Sequence, residues 1–207
     1  MKRRKFIASS IIGSLTASSI TMETFAQLPS DKPRSITNKI KKQPLKPFYI
    51  EPESSLETKT TKIRFDQVNN QFCSAEFNFP PKTMGPAPHV HKDLDEIMRV
   101  LKGTVTILVG EQIFEVKEGG WHLRPHGITH TFWNAGDEPA IFIDFYPNQN
   151  FDVFLNELKS LFSQFQDEGI LPDSKEARKR LDELHAEWGM VIYHDKRKPL
   201  MEKYGLK

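Results

Sequence analysis

The hydrophobic and polar positions follow two different periods along the chain. Between about residues 60 and 147, apolar residues alternate with polar ones in short runs that glycine, proline and asparagine interrupt. From Asn150 onward, apolar residues recur at every third or fourth position instead. Because side chains repeat every two residues on a strand and about every 3.6 residues on a helix, the pattern predicts a β-rich region followed by helices.

Short predicted strands bounded by turn residues make up the β-rich region. They span residues 60–68, 71–79, 97–101, 104–109, 113–116, 121–124 and 140–146, and a further strand contains His130. On the strand predicted at 140–146, Asp144 and Tyr146 share one face with Phe142, while Ile141 and Ile143 occupy the other. The alternation leaves open which face points inward. If the first face does, Asp144 and Tyr146 are candidates for a pocket.

Two helices are predicted in the C-terminal part. The first begins at Asn150, carries many phenylalanine and leucine residues on one side, and ends at Gly169. The second begins at Asp173, where an acidic residue three positions later completes a capping-box pattern, and ends at Gly189. The first helix is too apolar to lie free in water, so we expect it to pack on the outside of the β-rich region or on a partner subunit. Residues 190–207 are expected to lie over the surface.

Four potential metal ligands, His89, His91, Glu96 and His130, lie within the β-rich region. His89 and His91 are two residues apart, so on a strand their rings point to the same side. The odd offset to Glu96 requires a turn over the polar residues 92–95. Three imidazoles and a carboxylate without sulfur suit Fe, Mn, Ni, Cu or Zn as a divalent ion. Four protein ligands leave coordination positions open for water, oxygen or substrate.

Glycines and a proline surround these ligands at regular spacings. They fall in two blocks, residues 85–103 and 119–134. These blocks resemble the two motifs of the cupin family, G-x5-H-x-H-x3,4-E-x6-G and G-x5-P-x-G-x2-H-x3-N. The first block departs from its motif in the opening spacing, since only three residues separate Gly85 from His89. Matching positions in the first motif are His89, His91, Glu96 and Gly103, and in the second Gly119, Pro125, Gly127, His130 and Asn134.

The resemblance implies an all-β fold, the double-stranded β-helix or jelly-roll cupin barrel. The periodicity adds a C-terminal pair of α-helices. We therefore predict a barrel over residues 48–149 and a helical extension over 150–207. The resemblance also implies metal binding by the four ligands, and a homodimer is expected from the family.

Many small cupins with this ligand set are dioxygenases, so the resemblance favours a metal-dependent, dioxygenase-like oxidoreductase acting on a small organic molecule. Met98, Val100 and Phe132 are predicted to line its substrate pocket. Two alternatives stay open, because cupins host unrelated chemistries. One is a non-catalytic protein that binds metal or a small ligand, and the other is an isomerase or lyase. His122 and His126 fall outside the ligand positions and are predicted to be surface residues.

Charge separates the N-terminal part from the rest of the chain. Of the formal charge of +2, residues 1–26 carry +3 and residues 27–47 carry +5, so the remaining residues carry −6. An acidic folded part argues against nucleic-acid binding. Residues 1–26 resemble a twin-arginine export signal around Arg3 and Arg4, and their apolar stretch is too short for a stable membrane span. We expect a periplasmic or extracellular protein with a disordered basic linker over 27–47.

Overall fold

The computed structural model describes residues 44–51 and 59–207. The chain divides into two units, Met1–Lys41 and Lys42–Lys207, and the first lies outside the described residues. The predicted export signal with Arg3 and Arg4, and most of the predicted linker, therefore also lie outside them. Residues 44–51 have no regular secondary structure and are exposed. Within the described residues, no helix is long and apolar enough to span a membrane.

Eleven strands and three α-helices occur in the part of the chain that the structure describes. The strands are β1 (Lys59–Ile63), β2 (Phe72–Phe79), β3 (Thr83–Met84), β4 (His89–His91), β5 (Glu96–Lys102), β6 (Thr104–Val109), β7 (Gln112–Lys117), β8 (Trp121–Arg124), β9 (His130–Asn134), β10 (Ala140–Pro147) and β11 (Met190–Ile192). The helices are α1 (Phe151–Glu168), α2 (Lys175–Glu187) and α3 (Arg197–Tyr204).

The strands form two antiparallel sheets that make up a jelly-roll barrel. One sheet has the order β1-β2-β10-β5-β8, and the other has the order β11-β4-β9-β6-β7, with β3 paired to β9. The predicted first strand is wrong in its second half, because Phe65–Val68 forms a 3-10 helix that follows β1. Gly103, at φ +78°, makes the tight turn between β5 and β6, a backbone conformation that glycine adopts without steric cost.

Two apolar clusters fill the interior. The first lies between the sheets and includes Met98, Val100, Ile107 and Phe142. The second joins the barrel to the C-terminal part; it contains Cys73, Ala75, Leu94, Tyr146, Phe151, Phe154, Leu155 and Met190. Cys73 is a buried free thiol. The inward face of β10 is the one that carries Asp144 and Tyr146, which resolves the ambiguity of that strand.

The predicted pair of helices is present, and α1 packs on the barrel of its own chain. Phe151, Phe154 and Phe165 of α1 are buried. The start of α2 differs from the prediction by one residue. Ser174, not Asp173, is the N-cap, since its hydroxyl accepts a hydrogen bond of 3.1 Å from the backbone N–H of Ala177. The hydroxyl fits the capping position and leaves Asp173 outside the helix.

The C-terminal tail does more than lie over the surface, which corrects the prediction for residues 190–207. Its first segment forms β11, which pairs with β4 in the register Met190↔His91 and Ile192↔His89. Its last segment forms α3, and the ring of Tyr204 packs 4.6 Å from that of Trp133. The apolar alternation of so short a strand is too brief to be recognised from sequence.

Candidate metal centre

Neighbouring strands bring the four predicted ligands to one place. His89 and His91 lie on β4, and His130 on β9 is the direct cross-strand partner of His89. The rings of His89 and His130 are therefore 4.4 Å apart between centroids. Glu96 is the first residue of β5 in the opposite sheet. The cluster thus joins both sheets, and the predicted turn over 92–95 allows Glu96 to reach it.

The four side chains are buried and converge. One potential ligand atom from each of His89, His91, Glu96 and His130 lies within 4.8 Å of the others. Nε2 of His130 is 2.8 Å from Oε2 of Glu96, and Nε2 of His91 is 3.8 Å from Oε1 of the same carboxylate. This spacing leaves room for a single ion between nitrogen and oxygen donors, which bind transition metals at about 2.0–2.2 Å.

Backbone carbonyls orient two of the rings. Nδ1 of His89 donates to the Ala87 carbonyl at 2.9 Å, and Nδ1 of His130 donates to the Ile128 carbonyl at 3.0 Å. Because a carbonyl oxygen only accepts, both rings carry their hydrogen on Nδ1 and keep the Nε2 lone pair free. Metal-binding histidines are held in this way by a partner on the other ring nitrogen.

Unsatisfied nitrogens support a metal at this place. Both ring nitrogens of His91 and the Nε2 of His130 are buried and have no hydrogen-bond partner among the described residues. The close approach of His130 to Glu96 lacks the alignment of a hydrogen bond. Buried polar atoms without partners are costly, and a coordinated cation would satisfy them. The donor set therefore fits a divalent metal.

Burial keeps the imidazoles in the form that binds metals. It holds the pKa of His89 well below its usual range and lowers the pKa of His91 to about 4. Both rings are therefore neutral at physiological pH, so a metal does not have to displace a proton from them.

A buried arginine that sequence reasoning missed supports Glu96. Arg124, at the end of β8, is fully buried. Its Nη2 donates to Oδ1 of Asp144 at 2.6 Å, and its Nε lies 3.2 Å from Oε2 of Glu96. The sequence carries no signal for it, because the alternation of β8 would place the apolar Trp121 and Leu123 inside, whereas both are more than half exposed. The opposite face of β8, with His122 and Arg124, therefore points inward.

Burial and the charge of Arg124 act differently on Glu96 and Asp144 and give their carboxyl groups different pKa values. Burial alone would raise the pKa of Glu96, but the positive charge of Arg124 holds it well below its usual range. For Asp144, burial outweighs the attraction of Arg124 and raises the pKa to about 6. At neutral pH Glu96 is thus a carboxylate suited to a metal, while Asp144 titrates near neutrality.

A cavity of about 600 Å³ opens onto this cluster. His89, Glu96, Asp144 and Tyr146 line its inner end. Apolar side chains form most of the remaining wall; they include Phe77, Phe79, Phe132, Phe151, Phe154, Leu155, Leu158, Phe162 and Leu181. This size and lining are typical of sites for small organic molecules.

The predicted pocket residues are only partly placed as expected. Phe132 lines the cavity, whereas Met98 and Val100 belong to the apolar cluster between the sheets and do not line it. Their side chains fill the barrel interior next to the site. His126 is exposed and its Nδ1 lies 2.7 Å from Oδ1 of Asp95, as suits a rim residue. His122 is partly buried against Phe114, at 4.7 Å between rings, rather than a free surface residue.

Residues 75–146 match the sequence family described as Cupin domain. The barrel has the jelly-roll fold of a cupin domain. The match starts in β2, ends in β10 and includes all four converging side chains, so fold and cluster agree with it. The C-terminal extension from Phe151, which forms much of the cavity wall, lies outside the match. No curated protein sequence matches the chain.

Solved structures similar to the cupin barrel include proteins of different kinds. A putative sugar phosphate isomerase from Acidithiobacillus ferrooxidans is 19% identical, with a TM-score of 0.38, 44% of this chain covered and 60% of that chain. A double-stranded β-helix protein from Klebsiella pneumoniae is 21% identical, with a TM-score of 0.40 and coverages of 49% and 85%. A recombinant oxalate oxidase in complex with glycolate is 20% identical, with a TM-score of 0.38 and coverages of 47% and 54%. The chain thus spans little more than half of two of these proteins.

Proposed function

We propose that the protein is a metal-dependent oxidoreductase of the dioxygenase type that acts on a small organic molecule. The observation that supports it is the contact between the His89, His91, Glu96 and His130 cluster and a largely apolar cavity of about 600 Å³. A purely structural metal site is closed, whereas a catalytic site keeps an open side. The cavity supplies that open side.

Each residue at the inner end has a distinct role in this proposal. The four ligands would hold a divalent ion, Fe, Mn, Ni, Cu or Zn, which supplies Lewis-acid or redox chemistry when bound. Arg124 keeps Glu96 ionised and fixes the carboxylate in place. Phe132 and the phenylalanines of α1 exclude water from the cavity and give a substrate an apolar surface.

The test begins with the metal content of protein purified without added metal. Protein loaded with each ion in turn is then supplied with small organic substrates, and oxygen uptake is measured. Glu96→Gln and His130→Ala should lose most of the metal and all of the uptake, while His126→Ala at the rim should keep both. Stoichiometric metal in all variants would contradict the ligand assignment, and full metal without oxygen uptake would contradict the oxidoreductase.

One observation favours a second candidate, an isomerase or lyase. Asp144 and Tyr146 line the cavity beside the cluster, and the pKa of Asp144 is raised by burial to about 6. A carboxyl group that titrates near neutrality can both accept and donate a proton. This candidate predicts turnover of sugars or oxo-acids without oxygen, followed by NMR, and its loss in Asp144→Asn with the metal retained. A protein that binds metal and ligand but converts neither would instead be a binding cupin.

We further propose that residues 1–26 direct export by the twin-arginine route, because Arg3 and Arg4 precede a short apolar stretch. Lysine at both positions should retain the protein in the cytoplasm, as cell fractionation would show. Normal export of that variant would contradict the proposal. The homodimer stays a prediction, which light scattering after size-exclusion chromatography can test.

A further inference from the structure

The outer part of the cavity is built by the C-terminal extension and not by the cupin domain. Phe154, Leu158 and Phe162 of α1 supply its apolar wall, while Arg197 of α3 supplies a charged group. Phe151 connects the two parts, because its ring meets the ring of His91 edge-on at 5.5 Å. The extension therefore forms part of the wall of the cavity that opens onto the cluster.

Arg197 is a cation without an acidic partner in this wall. Its Nη1 donates to the Gly85 carbonyl at 2.6 Å, which satisfies one of five N–H donors. No carboxylate of the described residues lies within 4.0 Å of its guanidinium. The other partly or fully buried arginines are paired, Arg124 with Asp144 and Arg180 with Glu168. Partial burial also lowers the pKa of Arg197, which marks a charge that the protein itself does not compensate.

The backbone around Arg197 adds to the positive potential. Arg197 is the first residue of α3, and the first turn of this helix contains no acidic residue. A cation is unfavourable at a helix N-terminus, where the helix dipole already favours negative charge. A bound anion would satisfy the guanidinium, whereas the N–H of Arg197 already donates to the His194 carbonyl.

The remaining charged groups of the cavity wall leave Arg197 as the best anchor. Glu96 and Asp144 at the inner end are both paired with Arg124. His194 is paired with Asp182 at 2.8 Å. Arg178 and Asp173 line the exposed mouth, carry opposite charges and have no ion pair within 4.0 Å in the described chain. A ligand with a single anionic group can therefore pair with this one guanidinium.

The distance between the anchor and the cluster limits the length of the ligand. Gly85, which accepts the hydrogen bond from Arg197, lies four residues before His89. An extended chain advances at most about 3.6 Å per residue, so the two Cα atoms are no more than about 14 Å apart. A molecule with a body of one aromatic ring or a short alkyl chain can touch both ends.

We propose that the cavity binds a monocarboxylate with an apolar body, whose carboxylate pairs with Arg197 and whose body lies against Phe132 and the phenylalanines of α1. This inference rests on the proposed small-molecule site, but it holds for any chemistry at the metal. It assigns the choice of substrate to the C-terminal extension, outside the cupin domain.

The test compares three probes with the same 3-phenylpropyl body and different charge: 4-phenylbutyrate, 4-phenylbutyramide and 3-phenylpropyl phosphate. Calorimetric titration of the metal-loaded full chain should show the carboxylate binding at least tenfold more tightly than the amide. Loss of one charge-assisted hydrogen-bonded pair corresponds to roughly a 10- to 100-fold change. Arg197→Gln should therefore weaken carboxylate binding by about that factor and leave amide binding unchanged. Lys198→Gln, which removes an exposed charge from the same helix, should change neither.

Several results would overturn the inference. Equal affinity of wild-type protein for carboxylate and amide would do so without any variant, which matters if Arg197→Gln does not fold. Tighter binding of the phosphate would exclude a carboxylate as the favoured anion. If the carboxylate instead binds the metal, Arg197→Gln would have no effect and chelator treatment would abolish binding. Oxygen uptake is measured separately, so carboxylate binding without uptake would reject only the oxidoreductase.

Discussion

Replacing Arg124 by methionine tests the charge network beneath the candidate metal centre. Arg124 is fully buried and lies between Glu96 and Asp144, at 3.2 and 2.6 Å. Methionine keeps an apolar stem of similar length, so the main change is the loss of the positive charge. Two buried carboxylates then have no counter-charge. Removing one partner of a buried ion pair costs about 3 to 5 kcal/mol of the free energy of unfolding.

The assay is urea denaturation of chelator-treated protein at pH 8, where Asp144 is ionised in the wild type. We expect Arg124→Met to lose about 3 to 5 kcal/mol. Adding Asp144→Asn should recover part of this loss, because it removes one uncompensated charge. Metal-loaded Arg124→Met should lose less, because the cation neutralises Glu96. A loss below about 1 kcal/mol in metal-free protein, as for an exposed pair, would refute the reasoning.

The pH dependence of the stability difference between wild type and Arg124→Met gives an internal control. The pKa of Asp144 in the folded protein, about 6, lies above its ordinary value of 3.8. The folded state therefore binds this proton more tightly, and the contribution of Asp144 to stability falls as pH rises from about 4 to 6. Without Arg124 the pKa should rise further, so the variant should be closest to wild type at pH 5 and farthest from it at pH 8.

Three further predictions follow from particular contacts. Ser174→Ala should cost about 1 kcal/mol because it removes the N-cap of α2, while Asp173→Ala should cost little; thermal unfolding of both variants distinguishes the two capping assignments, and equal losses would contradict ours. Because burial lowers the pKa of His91 to about 4, this ring should stay neutral between pH 7 and 5.5, as NMR titration of its ring protons in metal-free protein would show. Protonation of the His91 ring within that range would mean that it has an ordinary pKa. Deletion of residues 190–207 removes β11 from beside His89 and His91, so hydrogen exchange in β4 should accelerate and metal affinity should fall; an unchanged affinity would show that β4 holds its ligands without β11.

Short-range rules account for most of the secondary structure. The strands predicted at 104–109 and 121–124 match β6 and β8. Alternation and β-branched residues determine them locally. The prediction failed in the second half of the first strand, where an apolar residue belongs to a turn of helix instead. Phe65 continued the alternation from Ile63, yet residues 65–68 turn into a 3-10 helix that leads the chain toward β2.

The converging side chains could be predicted because the spacing in the sequence reflects strand geometry. His89 and His91 share a face for local reasons. Their approach to His130 depends on the pairing of β4 with β9, which the resemblance to cupin motifs implied. Arg124 escaped prediction because nothing local distinguishes a buried arginine from an exposed one. Its role depends on Glu96 and Asp144, which belong to strands on either side of it in sequence.

The sequence by itself determined most of the barrel strands, the two long helices and the set of residues that meet at the metal centre. These features depend on period, turn chemistry and motif spacing, all of which act over a few residues. Only the tertiary structure decided which face of β10 points inward, that β11 pairs beside the ligands, and that Arg197 enters the cavity. Gly85 and Arg197 are 112 residues apart in sequence, so only packing of the whole chain brings them together. The cavity wall is likewise decided by the tertiary structure. The choice of ligand that we propose depends on that wall.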